Sequence, residues 1–147
     1  MSLKAALDQY TAVKKEREYI AEKVMTLERQ IERIEQSGYS VKDTVRGGEG
    51  NMHRYTIEGF PYSDYSRRKT LLRVRRQQLI DRDEKLAELE TQVEHFLGEL
   101  DDSRMRQMIE YRYIEDMSWV QIANRMGGRN TADGCRMAVE RFLRDKQ

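Results

Sequence analysis

Apolar residues recur along the first and the middle thirds of the chain at alternating steps of three and four. In the first third they are Leu3, Leu7, Tyr10, Ile20, Val24, Leu27, Ile31 and Ile34, with Lys14 and Arg17 interrupting the seam. No glycine or proline falls within this stretch, so the pattern predicts a long helix from Leu3 to about Glu35, one narrow face of which needs a partner. Glu28, Glu32 and Glu35 alternate with Arg29 and Arg33 on the other side, the pattern of a solvated face. A second helix is predicted from about Asp64 to Leu97, with Leu72, Leu79, Leu86, Leu89, Val93, Phe96 and Leu100 at heptad-compatible steps. Two heptad helices of similar length joined by one loop fold most simply as an antiparallel hairpin, and a homodimer would bury the seam further.

Between them, Ser37-Gly38 ends the first helix and the pattern changes. Val41 to Val45 and Arg54 to Ile57 alternate with β-branched residues around Arg46-Gly47-Gly48-Glu49-Gly50-Asn51. A small β-hairpin, an ordered loop or a disordered loop are all compatible with this, because a lone hairpin is marginal in water. Pro61, the only proline, stands before the second helix rather than inside it. The start of that helix carries Arg67, Arg68, Lys69, Arg73, Arg75 and Arg76, six cations in ten residues with no acid among them. Two readings stay open for this patch: a contact for phosphate or for RNA polymerase, or a solvated helix whose arginine stems cover the seam.

After Gly98 to Asp102, where Asp101 or Asp102 is placed to cap the next helix, the periodicity shortens. Helix patterns span Ser103 to Ile114, Ser118 to Met126 and Thr131 to Leu143, the last two separated by Gly127-Gly128-Arg129-Asn130. Trp119, Ile122, Ala123 and Met126 form one buried stripe, and Cys135, Ala138, Val139 and Phe142 form another. Thr131 suits the N-cap and Asp133 the positive end of the helix dipole. Asp133, Arg136, Met137, Glu140 and Arg144 remain for the outward face. A short helix, a glycine turn and a second capped helix make a helix-turn-helix, an arrangement also found in small all-α domains that bind no DNA.

These residues also carry a resemblance. Arg106-Gln107-Met108-Ile109-Glu110-Tyr111-Arg112-Tyr113, Gln121-Ile122-Ala123, Met126-Gly127, Thr131, Cys135-Arg136 and the basic Arg141 to Arg144 resemble region 4 of bacterial sigma factors over Asp101 to Lys146. Ala132 and Gly134 stand where that family tends to have basic residues, so promoter contacts do not carry over there. Arg136 is the base-contact candidate that does. Chain-wide, a helical hairpin followed by such a module, together with Val41-Lys42-Asp43-Thr44-Val45 and Ile57-Glu58-Gly59-Phe60-Pro61-Tyr62, resembles small phage transcriptional regulators of the RinA and ArpU kind.

The expected fold is therefore all-α: a helical hairpin over 1–100 with an inserted loop at 38–62, then a three-helix helix-turn-helix module over 101–147, with the acidic break at 98–102 as hinge. The resemblance implies a sequence-specific DNA-binding transcription regulator, an activator or accessory factor acting with bacterial RNA polymerase in the cytoplasm of the host cell. Asp133, Arg136, Met137 and Glu140 would face base edges, and Arg129, Asn130, Thr131, Arg141 and Arg144 would face phosphates. The alternatives are a phage DNA-packaging protein of the small-terminase type and a coiled-coil adaptor.

Composition narrows this further. With 36% charged residues, 38% hydrophobic, a mean hydropathy of -0.89 and a net charge of +1, the chain is not a polycation, and DNA binding must come from local asymmetry. From Arg125 onward there are six Lys or Arg against three Asp or Glu. A single cysteine, Cys135, excludes an internal disulfide and suits a reducing compartment. No run is long and apolar enough to span a membrane. His53 and His95 are the only histidines, and Gly47-Gly48-Glu49-Gly50 lacks both the spacing and the lysine of a phosphate loop. Neither a metal, a cofactor nor an enzymatic activity is expected.

Overall fold

The heptad patterns of both long segments form helices, the first continuing through Lys14 and Arg17 where its seam is interrupted. In a computed structural model of the chain, which describes residues 1–37, 44–46, 54–56 and 62–146, helix α1 runs Leu3–Ser37 and helix α2 runs Tyr62–Gly98. Ser2 opens α1, its hydroxyl accepting the Ala5 N–H at 3.1 Å. Helix α2 starts two residues before the expected Asp64, which instead falls in its first turn, where a carboxylate meets the positive end of the dipole. The two helices are antiparallel. Arg82 pairs with Glu16, Arg76 with Glu28, Arg68 with Gln30 and Tyr65 with Glu35, so α2 numbers fall as α1 numbers rise.

The helices that follow are α3, Ser103–Ile109, α4, Trp119–Met126, and α5, Ala132–Asp145, with a π-helical turn over Glu110–Ile114 between α3 and α4. Strands β1, Thr44–Arg46, and β2, Arg54–Thr56, pair antiparallel with Val45 opposite Tyr55, so strand pairing holds among the alternatives open for this stretch. The fold class is all-α with this one minimal strand pair. The rest of that region, including Val41 to Asp43, the Gly47 to Asn51 breaker, His53 and Ile57 to Pro61, lies outside the described residues, as does Gln147. No helix among the described residues is long and apolar enough to cross a membrane.

The chain forms two compact units, one of residues 1–16 and 82–147, the other of residues 17–81. This differs from the division expected at residue 100, and the reason is a shared core. Leu3, Ala6, Leu7 and Tyr10 of α1 and Leu89, Val93 and Leu97 of α2 are buried in one cluster with Met105, Met108, Ile109, Ile122, Ala123, Cys135, Val139 and Leu143. Each such leucine, isoleucine, valine or methionine side chain stabilises by about 1.5–3 kcal/mol when fully buried. The hinge expected at 98–102 is likewise tied down: Arg106 donates from Nε to the Leu97 carbonyl at 3.0 Å and from Nη2 to the Leu100 carbonyl, satisfying acceptors that the end of α2 leaves open. The second unit has a smaller core, made of Ile20, Val24, Leu27 and Ile31 against Leu72.

Candidate nucleic-acid interface

The helix-turn-helix is assembled by caps at each corner. Asp102 caps α3, accepting from the Arg104 and Met105 N–H groups. Ser118 and Gln121 form a reciprocal capping box at the start of α4. At its end Gly127 and Gly128 adopt φ values of +71° and +64°, the left-handed region that glycine enters without Cβ strain. Thr131 then caps α5 as its sequence position implies, accepting the Gly134 N–H at 3.0 Å. A Cβ on Gly134 would stand 2.8 Å from that same hydroxyl. Glycine here makes room for the cap, a physical reason for the departure from the basic residue of the sigma-like pattern.

Both inward stripes pack as their spacing predicts. Ile122, Ala123, Cys135 and Val139 are buried, and Trp119, Met126, Ala138 and Phe142 pack half-buried against them. The sequence stripes omit Leu143, which is buried and whose signal was its place four residues after Val139. On the outer side of α5, Asp133, Met137, Glu140, Arg141 and Arg144 are exposed, as are Arg129 and Thr131 beside it. Arg136 is half-buried and lies between two acids, its Nη1 3.2 Å from Glu140 and its Nη2 3.7 Å from Asp133. Ion pairs this exposed are worth at most about 1 kcal/mol, so the guanidinium is oriented along the helix yet able to exchange its partners.

Asn130, expected to face phosphates, is engaged within the turn in this structure. Its Nδ2 donates to the Gly127 carbonyl, and its Oδ1 accepts from Arg104 of α3. The side chain thus locks the turn and is half-buried in doing so. Arg125 is exposed on α4, over the Tyr111 ring at 6.0 Å.

The segment before α4 is held from a distance. Lys14, which interrupts the heptad seam, donates to the Ile114 carbonyl at 2.9 Å and pairs with Asp116 at 2.7 Å. Asp116 has a φ of +55°, which aspartate tolerates better than most residues. Arg112 lies 4.8 Å from the Trp119 ring centroid and donates to the Met117 carbonyl at 3.1 Å. Arg112, within the sigma-like Tyr111-Arg112-Tyr113, therefore fixes the approach to α4. Burial pushes the Tyr113 hydroxyl above its ordinary value of 10.0, with the Asp8 charge adding to the shift.

The second candidate patch lies wholly in the second unit. Arg67 and Arg68 pair with Asp64 at 2.8 and 3.1 Å, and their hydrogen bonds hold its carboxyl below the usual carboxylate range. Arg76 pairs with Glu28 at 3.1 Å, and Lys69 lies over the Tyr65 ring at 4.9 Å. Arg75 donates to Gln78 at 3.2 Å, and Arg73 is exposed. The patch is thus partly neutralised by acids from one turn earlier and from α1, which the local sequence window of ten residues did not contain.

No family model, curated protein or solved structure matches the chain.

Proposed function

We propose that α5 enters the major groove of duplex DNA and that the chain is a sequence-specific DNA-binding transcription regulator of phage or prophage kind, an activator or accessory factor acting with bacterial RNA polymerase. The observation that carries this reading is the asymmetry of α5. Its inward face is consumed by Cys135, Val139 and Leu143, while its outward face, capped at Thr131, presents Arg136 with Asp133, Met137 and Glu140 to solvent. An exposed face on a short capped helix that follows a tight turn has the dimensions the groove accepts. Arg136 leaves its acidic partners for the paired acceptors of guanine, and Glu140 accepts from a cytosine amino group. Arg129, Arg141 and Arg144 contact phosphates, and the N-terminal end of α5 directs N–H groups to the backbone. Asn130 and Thr131 act through the shape of the turn.

Binding of the full chain to mixed-sequence duplex DNA, followed by fluorescence anisotropy over a salt series, tests this reading. DNA binding through several phosphates weakens steeply and log-linearly with salt. Absence of retention at low salt would contradict it and favour a protein-binding adaptor. Mass measurement separates the remaining alternative, since a ring of many chains would favour DNA packaging and a monomer or dimer favours regulation.

A further inference from the structure

The helix pair of the second unit leaves a cleft of about 340 Å³, walled by Tyr19, Lys23 and Leu27 of α1 and by Arg67, Leu71 and Arg75 of α2. Tyr19 and Leu71 are 51% and 44% exposed, and Val74, one turn beyond Leu71, is 48% exposed. Apolar side chains clustered on an otherwise charged surface mark a seam whose other half is missing. Cations flank that seam, with Arg67 and Arg68 already paired to Asp64 outside the cleft and Lys23 and Arg75 turned to Tyr19. Lys23 and Arg75 lie 5.4 and 6.0 Å from the Tyr19 ring centroid, and among the described residues no carboxylate lines the cleft.

We propose that this cleft is the docking groove for an acidic amphipathic helix of a partner protein, which completes the pair as a third helix. The groove between two antiparallel helices accepts a third at the usual interaxial spacing, its apolar stripe covering Tyr19, Leu71 and Val74. Glutamates flanking that stripe meet Lys23, Arg67 and Arg75. A nucleic-acid backbone would satisfy the cations but bring no apolar surface to Leu71 and Val74. A second copy of this chain, docked face to face about a two-fold axis, would bring the same cations against themselves. The proposal concerns residues 17–81 and stands apart from the reading of α5.

The test uses the full chain and a fluorescein-labelled heptad peptide with leucine at its core positions and glutamate elsewhere, alongside a scrambled peptide of the same composition. Saturable anisotropy is expected with the heptad peptide and not with the scrambled one. Lys23→Glu and Leu71→Gln, both at exposed positions, should each weaken it on the order of tenfold while leaving the thermal melt unchanged. No saturable binding, equal binding of the scrambled peptide, or indifference to both variants would overturn the proposal. Duplex or oligothymidylate binding that falls with Leu71→Gln would assign the groove to nucleic acid instead. A dimer in sedimentation that Leu71→Gln dissociates would assign it to a second copy; either result overturns the acidic helix.

Discussion

The two units bury side chains by different means. Among the described residues, the first encloses a buried cluster of fifteen drawn from α1, α2, α3, α4 and α5, whereas the main cluster of the second has five along one seam. Where several helices surround a core, the inward stripes of α4 and α5 find partners on the helices around them. Along the paired stretches of α1 and α2 in the second unit, Leu71, Val74 and Ile80 of α2 and Tyr19 and Met25 of α1 stay exposed, and polar pairs such as Arg76 with Glu28 also join the two helices. The closed unit is thereby suited to fix the outward face of α5, and the open one to accept something further.

The sharpest way to break this comparison is to cut each core. Leu7→Ala and Ile122→Ala, both at fully buried sites, should each destabilise by about 2–5 kcal/mol and lower the denaturant midpoint of the Trp119 signal. Leu72→Ala should lower hydrogen-exchange protection within residues 17–37 and 62–81 and leave that of α3 to α5 intact. Equal loss of protection throughout would mean that the chain unfolds as one body.

Next in size is the long-range tie of Lys14. Lys14→Ala removes a charged donor from the Ile114 carbonyl and should cost about 1.5–3 kcal/mol, less what solvent screening takes from the exposed Asp116 pair. Denaturant unfolding measures it, and a loss no larger than that of the exposed Lys15→Ala would remove Lys14 from the account.

Smaller again is the cap of α5. Thr131→Ala should cost about 1 kcal/mol. Gly134→Ala should be near neutral in the native chain, where the new Cβ displaces the Thr131 hydroxyl, and stabilising by about 0.5–1 kcal/mol once Thr131 is alanine. Purely additive thermal shifts would contradict the shared space.

The smallest effect appears in alkali. The raised Tyr113 value, caused first by burial, means that its contribution is fully present below 10.0 and is lost as pH rises from there through the folded value. Tyr113→Phe should flatten that part of the stability profile, and an unchanged slope would place the loss elsewhere.

Much of the fold was legible because its signal is periodic. Heptads predicted α1 and α2, the two stripes predicted how α4 and α5 pack, and the Thr131 cap followed from residue type and position. What was not legible depends on partners far apart in sequence. Lys14 reads as a flaw in the seam until it meets Ile114, and the chain divides into its two units two residues later, between Glu16 and Arg17. The hydrogen bonds of Arg106 to the end of α2 and of Asn130 to Arg104 likewise join residues whose pairing no local pattern shows. The π-helical turn adds one residue per turn, which a helical stripe with only a few apolar positions does not register.

Whether the outward face of α5 reads base sequence is decided by selecting preferred sites from a random duplex pool with the full chain, Arg136→Ala and Leu71→Gln side by side. A defined motif is expected for the native chain, the same motif for Leu71→Gln, and for Arg136→Ala a relaxed preference at one position, equivalent to about 1–3 kcal/mol of discrimination. No enrichment by any of the three, or a motif that Arg136→Ala leaves unchanged, would contradict base reading by α5.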